Sequence, residues 1–248
     1  MSRIDLVINS VDRSHGTPSD FSIQLHRAIK VKAIKLKRSI IPNTIHTINA
    51  NNQVLRVQTA NAASETVTVD VILTAANYTA SELATHVSTL LTASAPGTYT
   101  VTKSATDTSR FNFSCSQGFK LMFDNQQSPY KELGFFKGTT VTSEATSATT
   151  FDITAPSFYK LGYDYLLLQS RSLQSNMETT TGLSCFAQLP LNANSGGYAY
   201  NSEDYDGEHQ IYETQKILNQ LDFRLITPQG QLCDFNGIDV SFVFEVTH

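Results

Sequence analysis

Alternating apolar and polar residues recur along most of the chain. The segments 21–25 and 65–73 both alternate with a period of two residues. This period is typical of strands that bury one face. The segment 163–173 instead contains an almost continuous apolar run, which predicts a strand buried on both faces. The hydrophobic pattern therefore predicts a mainly β fold.

The segment 29–41 alternates as well, but its parity changes part-way. Ile29 and Val31 share a parity with Ala33, whereas Ile34 belongs to the opposite one. An extra residue in one strand of an antiparallel pair produces such a change. We therefore expect a β-bulge between Ala33 and Ile34.

The period changes to that of a helix after residue 78. Thr79 and Glu82 have the spacing of a capping box, and Pro96 with Gly97 ends the pattern. One helical face carries Leu83, Val87, Leu90 and Leu91. These signals predict the main helix of the chain, about 12 residues long.

This helix belongs to a predicted α+β segment at 65–136, within a single domain spanning 1–248. A short helix is predicted at 128–135, with Ser128 as N-cap. The Ser/Thr-rich stretch 137–150 has few apolar residues and is expected to be a flexible surface loop. The α+β segment is therefore expected to be an insertion in an otherwise β chain.

The last strand-like segment, 238–246, lies at the end of the chain and carries Phe242 and Phe244. Turn signals precede it at 228–230 and 236–237. A terminal aromatic strand with a bare edge would be a template for aggregation. We therefore expect this strand to be paired on both sides, with its aromatic side chains in the core.

Composition narrows the possible functions of the 248-residue chain. Charged residues make up 16%, and the formal net charge is −4, which argues against a whole-protein electrostatic footprint for nucleic acid. No apolar run approaches the roughly 18 residues of a membrane span, and the N-terminus lacks a secretory h-region. The three cysteines are expected to be reduced core thiols of a protein folded in the cytosol.

Motifs for catalysis and cofactor binding are absent from the sequence. No Gly-rich phosphate loop occurs, and the histidines form neither HxH nor HExxH. The stretch 182–186 approaches a nucleophile elbow, but Phe186 stands where the turn requires glycine. We therefore expect no enzymatic activity and no cofactor.

An acidic cluster at 203–209 is the densest group of possible metal ligands. Asp204, Asp206 and Glu208 could hold a hard cation through oxygen ligands, but a bidentate Glu at calcium-loop spacing is missing. The alternatives are a solvated acidic loop or an interface that pairs these acids with the basic residues of a neighbouring subunit.

Two further groups are candidate interfaces. The basic residues of one strand would form a stripe that is either a solvated, aggregation-resistant face or a face that meets packaged DNA or an acidic neighbour. Three tyrosines in a Gly- and Asn-rich loop suit protein contacts and sugar stacking alike. The interface candidates are Arg27, Lys30, Lys32, Lys35, Lys37, Arg38, Tyr198, Tyr200 and Tyr205.

Three segments, taken in order, resemble the penton and related minor capsid proteins of virophages, Polinton-like viruses and large nucleocytoplasmic DNA viruses. The opening INSVDRSHGTPSDFSIQL (8–25) is similar to that family's Asn-Ser, basic residue, Ser/Pro/Asp loop and F-x-I-x-L strand. YTASELATHVSTLL and YKELGF resemble its internal helix and Leu-Gly-Phe element. LDFRLITPQGQLCDFNGIDVSFVFEV (221–246) resembles its closing pattern, with phenylalanine where many relatives carry Trp.

The resemblance implies a single jelly-roll β-sandwich, in which two antiparallel sheets with Greek-key connections carry the small α+β insertion with its main helix. It further implies a structural capsid protein of the virion, the penton, folded and assembled in the host cytoplasm. Such a subunit forms homopentamers at icosahedral five-fold vertices and contacts the neighbouring major capsid protein. A trimeric or interlocking minor capsid protein and a receptor- or carbohydrate-binding jelly roll, such as a fibre head, remain alternatives.

Overall fold

A computed structural model describes residues 2–61, 63–104, 106–107, 109–173, 177–202 and 209–248. The chain divides into two compact units. Unit 1 consists of Met1–Ile45 with Tyr163–His248, and unit 2 of His46–Gly162. Unit 2 therefore interrupts unit 1 once, and the segment 65–136 lies within it.

The described elements follow one another in mostly short strands. In chain order they are β1 (Arg3–Asn9), a 3-10 helix (Ser10–Asp12), β2 (His15–Thr17), β3 (Asp20–Pro42), β4 (Val54–Ala60), β5 (Thr66–Ile72), α1 (Ala80–Ser94), β6 (Tyr99–Lys103), β7 (Phe111–Cys115), β8 (Phe119–Met122), β9 (Thr140–Thr142), β10 (Glu144–Ser147), β11 (Thr150–Thr154), β12 (Tyr165–Gln169), β13 (Met177–Glu178), β14 (Ser184–Cys185), β15 (Ala187–Pro190), β16 (Tyr198–Ser202), β17 (His209–Ile226) and β18 (Ser241–Thr247).

The long strand β3 is the centre of unit 1. Its first part pairs with β2 and with the second part of β17, which continues to β12 and β15. Its second part pairs with β18 on one side, and on the other side with the first part of β17 and then with β16; β18 continues to β1. Each of these described pairings is antiparallel. β3 therefore runs through two portions of one continuous antiparallel sheet.

The two portions pack against each other through aromatic side chains. Phe223 of β17 lies 5.4 Å from Phe244 and 5.6 Å from Phe242 of β18, measured between ring centroids. Phe186 meets Phe244 at 5.9 Å. Phe223 lies opposite Phe21 and Phe244 opposite Leu36, which are far apart along β3, so these contacts show that the ladder folds back on itself into two layers. The predicted jelly-roll sandwich, mainly β with one main helix, is confirmed.

The register of β3 shifts at three places, and one of them, against β17, lies between Gln24 and Ile29. Ala33 lies opposite Ile211, but Val31 lies opposite Lys216, so the extra residues of this irregularity are on β17. Between β3 and β18 the shift leaves Lys37 as the extra residue of β3. The bulge predicted between Ala33 and Ile34 is therefore misplaced, because a parity change in one sequence does not reveal which partner strand accommodates it.

The closing strand β18 lies inside a sheet, as predicted. It pairs with β1 on one side and β3 on the other, and Phe242 and Phe244 are fully buried. The preceding turn has positive φ at Asn236 (53°) and Gly237 (80°), with a 3.1 Å hydrogen bond from Ile238 N to the carbonyl of Phe235. These values define a type I′ turn.

A further prediction for unit 1 and one for the whole chain are confirmed. The residues 166–168 of β12 are all buried, and two parts of the core receive them on opposite faces of the strand. Burial accounts for the continuous apolar run of this strand. The cysteines Cys115, Cys185 and Cys233 of the whole chain are buried and form no disulfide, and burial raises the pKa of the Cys233 thiol to about 12.

Unit 2 contains the sheets β5-β4-β8-β9 and β10-β11-β7-β6 together with α1. The predicted capping box is present: Glu82 N donates to Thr79 Oγ1 at 3.3 Å, and Thr79 N donates to the Glu82 carboxylate at 2.8 Å. The helix buries Leu83, Val87 and Leu91 completely. No described helix is long and apolar enough to cross a membrane.

Two local predictions in unit 2 differ from the structure. The segment 128–135 is a hydrogen-bonded turn, not a helix, because Gly134 (φ 81°) closes it with a bond from Phe135 N to the carbonyl of Tyr130. The segment 137–150, predicted as a flexible loop, contains β9 and β10. Threonine and valine favour strands there even without a strong apolar pattern.

Phe244 tests the packing of the two layers. We expect Phe244→Ala to lower the free energy of unfolding by about 3–5 kcal/mol, because it leaves a cavity among the rings of Phe186 and Phe223. The matched control is Val243→Ala, on the opposite face of the same strand, with an expected loss of about 1 kcal/mol or less. Urea denaturation of both variants measures the difference, and equal losses would contradict this packing.

Candidate assembly interface

The strands β1, β18, β3 and β16 present one common outer face to solvent. Register places Val7 opposite Val243, and Ser241 opposite Ile40, which in turn lies opposite Tyr200. The residues adjacent to these along each strand point into the core. We call this surface the outer face; it holds an apolar strip and a charged cluster.

The apolar strip crosses all four strands. It consists of Val7, Val243, Ile40, Tyr198 and Tyr200. Val7 is 59% exposed and Tyr200 66% exposed, and the two tyrosine rings lie 6.5 Å apart. Apolar side chains on adjacent strands of a sheet form a pre-ordered surface, because the backbone ladder already holds them in place.

The charged cluster lies next to the strip, towards the other end of β1. Lys37 Nζ is 3.2 Å from Asp5 and 4.0 Å from Glu245, and Arg3 is 3.5 Å from Glu245. These ion pairs are partly exposed and contribute little to stability. The positive charge of Lys37 is therefore balanced by Asp5 and Glu245 of the same chain. A cavity of about 320 Å³ beside the cluster is lined in part by Arg3, Lys35 and Glu245.

The structure separates the predicted interface residues into two groups. Lys35, Lys37, Arg38, Tyr198 and Tyr200 lie on the strands of the outer face. The remaining basic candidates, Arg27, Lys30 and Lys32, lie on the part of β3 before Ala33, where its register with β17 shifts twice. The basic candidates therefore all lie on β3, but they are divided between its two parts.

The acidic candidates Asp204, Asp206 and Glu208, together with Tyr205, lie outside the described residues. The strands that flank this segment are described: β16 ends at Ser202, opposite Arg38, and β17 begins opposite Lys35. Ser202 and His209, the described residues on either side of this segment, are therefore next to the basic strand of the same chain. Within the described part of the chain, no three His, Cys, Asp or Glu residues form a group that could hold a metal ion.

Sequence reasoning missed half of the outer face. Val7, Val243 and Ile40 were not singled out, and neither were the acidic partners Asp5 and Glu245. The available signal is parity: in β1 the apolar Ile4, Leu6 and Ile8 alternate with Arg3, Asp5, Val7 and Asn9. Val7, a valine at a solvent-facing position of β1, was the local sign of the apolar strip.

A polar clamp joins the opening and closing segments of unit 1. Ser10 Oγ donates to Asp239 at 2.6 Å, and the Arg13 guanidinium lies 2.8 Å from the same carboxylate. Arg13 also donates to the carbonyl of Ser10, and Val240 N donates to Ser10 Oγ. The Asn-Ser and basic positions of 8–25 and the second Asp of the closing D-x-N-G-x-D loop therefore meet in space.

The chain is similar to a solved viral penton protein. The crystal structure of the selenomethionine-labelled mavirus penton protein aligns with a TM-score of 0.49 and 10% identity, covering 99% of this chain and 99% of that chain. No protein-family model matches the sequence, and neither does any curated protein. At 10% identity the similarity concerns architecture and not individual residues.

The clamp can be tested by a double-mutant cycle. We expect Asp239→Ala to lower the free energy of unfolding by about 1–2 kcal/mol, since Ser10 and Arg13 lose their shared acceptor. The coupling energy with Arg13→Ala should be about 1 kcal/mol. Asp12→Ala, an exposed carboxylate of the same loop, is the control with an expected change within about 0.5 kcal/mol. A coupling energy of zero would mean that the clamp does not connect the two segments.

Proposed function

We propose that this chain is a structural capsid protein of a DNA virus, the penton that forms pentamers at the five-fold vertices of the virion. Unit 2 would be an insertion in its single capsid domain, and folding and assembly would occur in the host cytoplasm. The support is twofold: three segments in order resemble this capsid family, and the clamp joins the first of them to the last.

The apolar strip is the observation that carries the proposal. Exposed apolar side chains that cluster on one face of a sheet are a common mark of a binding site. Tyrosine is enriched at protein–protein interfaces, and Tyr200 with Val7 is more than half exposed here. A rigid sheet face of this kind suits permanent contact between subunits.

The geometry of a closed ring of subunits determines which surface of the next subunit the strip contacts. A five-membered ring is built from head-to-tail contacts, in which one patch meets a different patch of the next subunit. The strip would supply one of these patches, and surfaces outside the ring would contact the major capsid protein. Arg27, Lys30 and Lys32, away from the strip, remain candidates for contact with packaged DNA or an acidic neighbour.

A second candidate function rests on the paired tyrosines. Tyr198 and Tyr200 present neighbouring exposed rings, which is also the kind of surface that stacks on sugars. A carbohydrate- or receptor-binding jelly roll would use the same strip for a glycan. A trimeric or interlocking minor capsid protein would use it for a different ring size.

Substitutions in the strip distinguish these functions. We expect Val7→Asp and Tyr200→Ser each to weaken association between subunits by about tenfold or more, because a desolvated contact is lost. Ile217→Asp, at an isoleucine of unit 1 that is 58% exposed outside the strip, should leave association unchanged. Native mass spectrometry over a concentration series, together with the recovery of each variant in assembled shells, measures the effect.

The mass of the wild-type oligomer decides among the candidates. A five-fold mass, in solution or in the shell, supports the penton. A three-fold mass supports the minor capsid protein, and a monomer that binds glycans through Tyr198 supports the receptor-binding jelly roll. Equal assembly by Val7→Asp, Tyr200→Ser and the wild type would contradict the proposed role of the strip.

A further inference from the structure

The turn at 127–135 joins the segment where the chain enters unit 2 to the segment where it leaves. On the entry side, Val54 N donates to the carbonyl of Gln127 at 2.9 Å, and the Gln127 amide donates to the carbonyl of Ala50 at 2.7 Å. We call this turn the clasp, the residues 46–54 the entry segment, and the residues 157–162 the exit segment.

The exit segment is held by the same turn. Ser157 N donates to the carbonyl of Gly134, and Lys160 N to the carbonyl of Lys131, both at 3.0 Å. Lys131 Nζ also donates to the carbonyl of Gly162 at 3.1 Å. The clasp thus connects both ends of unit 2 by backbone hydrogen bonds. These bonds depend on the turn keeping its conformation.

Glu132 lies at the centre of the clasp with only 7% of its surface exposed. The side-chain amide of Asn52, on the entry segment, lies beside the carboxyl group of Glu132. Asn52 is itself fixed, because it donates to the carbonyl of Thr47 at 2.8 Å and accepts from Asn49 N at 2.7 Å. The carboxyl group therefore sits where the entry segment and the clasp touch.

We propose that Glu132 is a proton-operated latch of unit 2: its neutral carboxyl group keeps the clasp closed on the entry segment, and its ionisation loosens that contact. An ionised carboxylate away from water is costly unless it has a charged partner. The donors beside this carboxyl group, the backbone N–H of Glu132 itself and the amide of Asn52, carry no net charge. The clasp is consequently more stable with the proton bound.

The charges around the latch act in opposite directions. Burial raises the pKa of Glu132 to about 7, while the backbone N–H of Glu132 itself, the Asn52 amide and the nearby Lys131 favour the ionised form and limit the rise. The other titratable groups on the three segments that pack together are Tyr130 of the clasp, His46 of the entry segment, and Tyr159 and Lys160 of the exit segment. Among these, His46 needs a control, since histidine charge can change in the same pH range.

The direction of the pH dependence follows from the raised pKa. The closed clasp binds the proton more tightly than the open one, in which Glu132 has its ordinary pKa near 4.5. The stabilisation is complete below pH 4.5 and is lost as pH rises towards 7. From pH 6 to pH 8 the opening equilibrium should increase about tenfold, and from pH 8 to pH 9 it should hardly change.

Pulse-labelled hydrogen exchange of the full chain tests the latch. The reporters are the amides that donate across the clasp, at Val54, Ser157 and Lys160, after correction for intrinsic exchange rates. We expect wild-type opening to rise about tenfold from pH 6 to pH 8 and then to level off. Glu132→Gln, which keeps the shape but cannot ionise, should show no rise. Glu144→Gln, an exposed carboxylate of the same unit, should behave like the wild type.

Three results would overturn the proposal. The first is the same rise in Glu132→Gln as in the wild type, and the second is a rise that disappears in His46→Gln. If Glu132→Gln fails to fold, the carbon-13 shift of the Glu132 carboxyl group in the wild type provides the deciding measurement. A titration midpoint near the ordinary pKa of glutamate would then exclude the latch, and a midpoint near 7 together with the wild-type exchange profile would support it.

Discussion

The strand β3 has to bury an apolar face in two sheet portions at once, and the architecture of unit 1 depends on how it does so. Its first part pairs with the second part of β17, and its second part lies between β18 on one side and the start of β17 with β16 on the other. Because side chains alternate strictly along a strand, one uninterrupted register cannot serve both layers. The register shifts next to Val31 and at Lys37 resolve the conflict, and they allow Phe223 and Phe244 to meet in the core.

The same constraint explains which features could be predicted from the sequence. The capping box of α1 and the turn at Asn236 and Gly237 are local, so residues a few positions apart determine them. The position of the bulge is not local, since it depends on the partner strand. The helix predicted at 128–135 failed for a related reason: Ser128 and Pro129 are good starting signals, but Gly134 closes the turn before a second one can form.

The outer face shows a similar division between what is local and what is not. The lysines of β3 are visible as a run, whereas the neutralisation of Lys37 requires Asp5 and Glu245 from two other strands. The apolar strip likewise depends on register, because Val7 and Val243 are distant in sequence and adjacent in the sheet. A candidate interface made of four strands is therefore only partly visible in any one of them. The sequence indicated its basic and aromatic members and not the valines.

The clasp has a physical cause in the way unit 2 is inserted. Bringing the two ends of a segment as long as His46–Gly162 together costs about 4 kcal/mol of chain entropy, beyond a constant term. The hydrogen bonds that Gln127, Lys131 and Gly134 make with the entry and exit segments offset this cost at one place. An apolar residue at position 132 would stabilise the same turn without any dependence on pH. The presence of a buried carboxyl group at this junction instead ties closure of the unit to proton binding.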